Sequence, residues 1–173
     1  MDTKTLTRCA LMTAVISVLS PLSIPLNGLV PVSLATFAVM LGGAVLGAKE
    51  GANCAAIYLV LGAIGIPVFA GWTSGVGILF GMTGGFLFGY IPLAFLTGYA
   101  ADRWNMERKY LIFGMTGGTI VLYAIGTIWF MAYMKMGLLA SLSACVFPFL
   151  IGDALKITAV ALIAPRVREA VRK

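Results

Sequence analysis

The chain has 173 residues; 61% are hydrophobic, only 10% are charged, and the formal net charge is +6. Its mean hydropathy is +1.02, and a soluble domain, in which about a quarter of the residues are charged, could not cover its surface with so few polar side chains. The composition excludes a water-soluble enzyme or scaffold and specifies an all-α polytopic membrane protein folded as a single integral membrane domain over residues 1–173, one compact bundle.

The first helix is expected over residues 6–21. Lys4 and Arg8 precede its apolar run, but no small-residue cleavage site stands out, so it reads as a membrane helix and not a cleaved leader. Ala10 and Ala14 give it a small-xxx-small face, the kind that lets helices approach closely in lipid. "PLSIPLNGLVP", Pro21 to Pro31, breaks it with three prolines and a glycine. A second helix is expected over 31–48, where Gly43 and Gly47 repeat the small-residue spacing. After Lys49 and Glu50 comes a third, over 51–66, ended by "GIPVFAGWTSG", Gly65 to Gly75. A fourth spans 77–101. "DRWNMERK" separates it from a fifth over 110–134, and a sixth is expected over 138–165.

The placement of charge gives these six spans a direction. Lys4, Arg8, Lys49, Arg103, Arg108, Lys109, Arg166, Arg168, Arg172 and Lys173 all fall on one side of a six-span chain, and Lys135 alone marks the other. Basic residues gather in the cytoplasm, so both termini are expected there. The basic residues read first as topology signals; the C-terminal cluster has a second reading as a contact for membrane lipid headgroups or a cytoplasmic partner.

Much chemistry is excluded. Histidine is absent and the three cysteines show no metal-ligand spacing. No G-x-x-x-x-G-K-[ST] loop is present, so this chain is not expected to hydrolyse ATP by that route. No catalytic set, metal, cofactor or nucleic-acid contact is expected.

The strongest chemical signal is "FPFLIGDALKITAV", Phe147 to Val160. Asp153 and Lys156 sit in an otherwise apolar span at i, i+3, hence on one helix face. A lone charge in mid-membrane costs about 3 kcal/mol, so the pair should face a cavity or a partner. Pro148 and Gly152 suggest that the helix starts just before Asp153, near its N-terminal dipole. One reading is a structural ion pair. The other is a solute site, where a carboxylate and an ammonium together suit a neutral head bearing N–H and C=O groups.

"FGMTGG" occurs twice, Phe80 to Gly85 and Phe113 to Gly118, each followed at the same offset by a tyrosine, Tyr90 and Tyr123. With six alternating spans, each copy falls in the first turns of its helix, the first near the outer face and the second near the cytoplasmic one. The first reads as a close approach to ligand or to the sixth helix, with Thr83 a polar contact; the second reads as helix packing.

Several stretches together resemble one family. "GLVPVSLATFAVMLGGAVLGAKEGANCAAIYLVLGAIGIPVFAG", Gly28 to Gly71, "GMTGGFLFGY", Gly81 to Tyr90, and "GDALK", Gly152 to Lys156, look like the biotin-specific substrate-capture subunits of energy-coupling factor transporters. The chain departs from the usual family pattern at Ala35 and Met82. The resemblance implies six helices, cytoplasmic termini and residence in a prokaryotic cytoplasmic membrane. It implies a biotin site near the outer face, with Asp153 and Lys156 on the ureido ring, Trp72, Thr73 and Ser74 in the covering loop, and Thr83, Gly84 and Tyr90 in the wall. The Ala10 and Ala14 face would dock a membrane-embedded coupling subunit, which in turn engages two ATPase subunits. The alternatives are a capture subunit for another small vitamin and an autonomous small-solute carrier.

Overall fold

A computed structural model describes residues 3–26 and 30–172. It is mostly helical. Helix α1 covers Thr3–Leu19 and stops at Pro21. Strands β1, Ser23–Leu26, and β2, Val30–Ser33, then form an antiparallel ribbon in the register Ser23 to Ser33. Two prolines, Pro25 and Pro31, stand opposite each other in it. A two-stranded ribbon tolerates them because each strand has a free edge. The sequence suggested only a helix-breaking turn here; residues 27–29 lie outside the described part.

Helix α2, Ala35–Leu46, is buried along nearly its whole length. It starts four residues later than the pattern predicts, because β2 occupies the apolar run before it. Gly47, at φ +106°, is a one-residue joint to α3, Ala48–Ala63. A Cβ on Gly47 would lie 2.5 Å from Asp102 Oδ2, so this joint requires glycine twice over.

The next predicted helix is interrupted. A 3₁₀ turn, Ala70–Trp72, leads to a single helical turn α4, Val76–Leu79, and then to a break before α5, Gly84–Arg103. The Trp129 indole holds the break open by donating to Gly81 O at 2.9 Å. Helix α6, Arg108–Met134, is continuous. The last predicted span divides into α7, Leu138–Cys145, a 3₁₀ turn at Phe147–Phe149 containing Pro148, and α8, Leu150–Arg172.

Two of these helices, Gly84–Arg103 and Arg108–Met134, are long and apolar enough to cross a membrane, as is the Leu138–Val171 stretch; Ala35–Leu46 is a shorter apolar helix. Helix α5 is central and packs on α2, α3 and α6, whereas α8 lies at the edge and packs chiefly on α2.

Glycines of the repeated hexapeptide serve close packing in both copies. In the first copy a Cβ on Gly85 would sit 2.3 Å from Trp129 Cβ, and one on Gly84 would sit 1.9 Å from Leu79 O. In the second, Gly114 and Gly118 admit Ala100 and Leu93 of α5. The helix-start position expected for the copies is not what the fold shows. The first straddles the break before α5, and the second begins more than a turn inside α6.

Candidate functional site

Helix α8 starts at Leu150, which places Asp153 in its first turn, where the exposed N–H groups and the dipole favour a negative charge. Lys156 follows one turn later, and its Nζ lies 2.9 Å from Asp153 Oδ1. Both side chains are largely buried, at 6% and 11% exposure for Asp153 and Lys156. Burying an ion pair costs several kcal/mol per ion unless the remaining lone pairs and protons are matched.

Here they are matched by two residues from other helices. Thr36, in the first turn of α2, donates to Asp153 Oδ1 at 3.2 Å and accepts from Lys156 Nζ at 2.9 Å. Tyr123, midway along α6, donates its hydroxyl to Asp153 Oδ2. Asp153, Lys156 and Thr36 thus close a ring of hydrogen bonds. One ammonium proton and part of the Oδ2 lone-pair capacity stay available, so the cluster offers one donor and one acceptor side by side.

This polar end opens on a small cavity of about 50 Å³, walled also by Phe86, Tyr90 and Phe149. A larger one of about 370 Å³ adjoins it, and the two share Pro31, Ser33, Phe86 and Tyr90. The larger chamber is in the size range of small-molecule sites. Aromatic side chains dominate its inner wall. The Tyr58 ring meets Phe69 edge-on at 5.6 Å and lies 6.3 Å from Tyr90. Tyr58 donates to Val68 O at 3.1 Å, which fixes the ring while its face stays apolar. Thr73, Met82, Thr83 and Tyr133 add polar and flexible groups.

Of the residues singled out in the sequence, Asp153, Lys156 and Tyr90 meet around the smaller chamber, and Thr73, Thr83 and Tyr90 line the larger. The others lie elsewhere. Trp72 is 63% exposed, at φ +61°, on the loop that Gly71 N–H ties to Pro21 O. Ser74 is half-buried beside it. Gly84 is walled off by Leu79 and Trp129. Ala10 and Ala14 are exposed on α1 and border a groove of about 660 Å³ shared with Asn53, Ala56 and Ile57 of α3.

Sequence reasoning missed Thr36, Tyr123, Tyr58 and Phe69 as site residues. Thr36 lies within the quoted "PVSLAT" run and Tyr123 follows the second hexapeptide. Tyr123 lines the site because α6, although it starts at the opposite end of the bundle, is long enough to reach it.

The fold and sequence have close counterparts. The crystal structure of the S-component for biotin from an ECF-type ABC transporter superposes with a TM-score of 0.89 at 29% identity, covering 98% of this chain and 95% of that one. A biotin transporter BioY of Thermotoga maritima is 38% identical over 164 residues, 95% of each chain. One of Rhodobacter capsulatus is 37% identical over 158 residues, 85% of this chain and 83% of its own. The BioY family model matches residues 1–173, and the chain belongs to that family.

Proposed function

We propose that this chain captures biotin and serves as the substrate-binding subunit of an ECF-type transporter. The observation that carries the reading is the Asp153–Lys156–Thr36 cluster set at the polar end of an aromatic cavity. The ureido head of biotin carries two N–H donors and one C=O acceptor. Asp153 Oδ2 accepts from an N–H, and the remaining ammonium proton of Lys156 meets the carbonyl. The thiophane ring and valerate chain extend into the larger chamber against Tyr58, Phe69, Phe86 and Tyr90. Thr83 and Tyr133 offer hydroxyls to the carboxylate, whereas Thr73 lines the wall with its own hydroxyl donated to Ala70 O. Chemistry of this kind is binding, with no covalent step.

The chain is a multi-pass membrane protein. In our reading six segments cross, with both termini cytoplasmic, and the Arg103–Lys109 linker lies on the same side. The cavity then faces outward, and Trp72 and Ser74 sit in the loop that covers it. The groove around Ala10 and Ala14 receives a membrane-embedded coupling subunit served by two ATPases.

Two measurements test this. Titration of purified protein with biotin is expected to show saturable, stoichiometric binding. In Tyr123→Phe, which loses a charge-assisted hydrogen bond to Asp153, affinity should fall about tenfold. Binding equal to wild type in that variant would remove Tyr123 and its carboxylate partner from the site. Ala14→Leu fills an exposed small-residue position that lines neither chamber. It should leave biotin affinity within about twofold while abolishing co-purification with the coupling subunit. A stable complex in Ala14→Leu would place the docking face elsewhere.

A further inference from the structure

At the end of the bundle opposite the cavity lies a second polar cluster, in which Arg168 is buried and Asp102 is exposed. Arg168, near the end of α8, is 8% exposed. Its Nη1 donates to Ala44 O of α2 at 2.8 Å and lies 3.6 Å from Met106 Sδ, and its Nη2 pairs with Asp102 Oδ1 of α5. Asp102 also accepts from Ala48 N–H, the first residue of α3, at 3.0 Å. One guanidinium and one carboxylate thus join α2, α3, α5 and α8. A guanidinium cannot shed its proton, so once buried it is held wherever its acceptors are.

The position of α8 makes this consequential. It packs mainly on α2 and more lightly on α6. Ile151, Leu155 and Leu162 on its other faces are exposed. Between Lys156 and Arg168 its fully buried side chains are Val160, Ala161 and Ala164. Small apolar side chains make shallow ridges, and sliding them by a fraction of a turn forfeits little dispersion energy. Hydrogen bonds are directional, so the polar contacts set the register. The α2–α8 pair has them at both ends: Thr36 with Asp153 and Lys156, and Ala44 with Arg168. Asp153 and Arg168 are roughly 22 Å apart along α8 at 1.5 Å per residue.

We propose that Arg168 is a positioning residue for the ligand site: its contacts to Ala44 O and Asp102 fix the register of α8 on α2, and thereby the meeting of Asp153 and Lys156 with Thr36. Without it, α8 loses its polar contact with α2 at this end, and an axial shift of about 2 Å stretches the Thr36 bonds beyond hydrogen-bonding distance. The proposal rests on the biotin-binding reading for its affinity readout, but not for its structural one.

The test uses the full chain in lipid nanodiscs, with Arg168→Gln, Arg168→Lys, Asp102→Asn, Thr36→Ala and the Thr36→Ala/Arg168→Gln double variant. Biotin affinity is measured by calorimetry. The α8 register is measured without ligand, as the distance distribution between spin labels at Leu155→Cys and Val60→Cys. Arg168→Gln is expected to weaken biotin about tenfold and to broaden or shift the label distances, with Arg168→Lys recovering part of both. Thr36→Ala should cost less in the Arg168→Gln background than in wild type, a coupling of about threefold or more, because both act on one contact.

Wild-type-like affinity in Arg168→Gln overturns the proposal. So does strict additivity, or an affinity loss with unchanged label distances. If Arg168→Gln does not yield folded protein, Arg168→Lys and Asp102→Asn carry the same readouts. Absence of biotin binding in wild type defeats the functional reading, while the label distances still decide the register.

Discussion

Replacing Asp153 by leucine and Lys156 by methionine together should abolish biotin binding while leaving the thermal midpoint at or above that of wild type. The two halves of this result have separate causes. A buried ion pair gains Coulomb energy but must offset several kcal/mol of desolvation per ion, so apolar residues of similar volume commonly match or exceed its stability. Asp153 and Lys156 are nearly buried and face a cavity, so the replacements relieve desolvation without overpacking. Binding has no such substitute. The ureido head would meet two alkyl groups, and its own N–H and C=O groups would lose water for nothing.

The single changes behave differently. Lys156→Ala leaves the Asp153 carboxylate buried without its counter-charge, held by the hydroxyls of Thr36 and Tyr123, and should lower both stability and affinity, the latter by about two orders of magnitude. Asp153→Asn keeps the shape and one acceptor oxygen, and should lose less. Calorimetry and thermal unfolding of the same preparations check all three. A double variant that still binds biotin would show the cluster to be structural. One that no longer folds would show it to be indispensable to the bundle.

The second large effect is expected at Gly98. A Cβ there would stand 2.4 Å from Gly47 C and 2.5 Å from Ala48 N. Those atoms are backbone, in the one-residue joint between α2 and α3, and cannot swing aside as a side-chain tip can. Gly98→Val should therefore cost more than about 3 kcal/mol and yield little monodisperse protein. Gly117 on α6 is the matched control, since nothing beyond its own stretch of helix lies within 4 Å of the Cβ it would carry. There, Gly117→Ala should be neutral or stabilise by up to about 1 kcal/mol through helix propensity. Thermal unfolding of the two variants against wild type measures the contrast, and similar midpoints for both would refute it.

Membrane residence and the central charge pair were legible in the sequence because both are signals of composition: long uncharged runs, and two charges inside one of them. The Asp153 and Lys156 contact needed only helical spacing to foresee. Thr36 and Tyr123 were not legible as partners because they stand 117 and 30 residues from Asp153 along the chain, and threonine or tyrosine in an apolar helix carries no distinguishing pattern. The interruptions were also hidden. Residues Phe80 to Thr83 read as continuous helix because glycine and threonine occur freely in membrane helices. What breaks that stretch is an indole from α6. Pro148 did announce a break, but not that two helices would flank it. The duplicated hexapeptide was legible only in part: Gly81, Met82 and Thr83 of the first copy line the larger chamber, while the space left by Gly84 and Gly85 is filled by Leu79 and Trp129.

The β-ribbon has a consequence for how the charge pair tolerates a membrane. Each of its two strands has one edge of N–H and C=O groups that the other strand does not satisfy, and lipid hydrocarbon offers such groups no partner. In the six-span reading proposed above, the ribbon lies at the outer end of the bundle, where hydrated headgroups or the protein itself meet those edges. Thr36 follows the end of β2 by three residues, so the charge cluster lies only about 5 Å deeper at helical rise. At that depth the cost of ionised side chains is well below its mid-bilayer value. On that reading the ribbon acts as a float: it sets the vertical position of the site and lowers the cost of holding the Asp153–Lys156 pair inside an apolar chain.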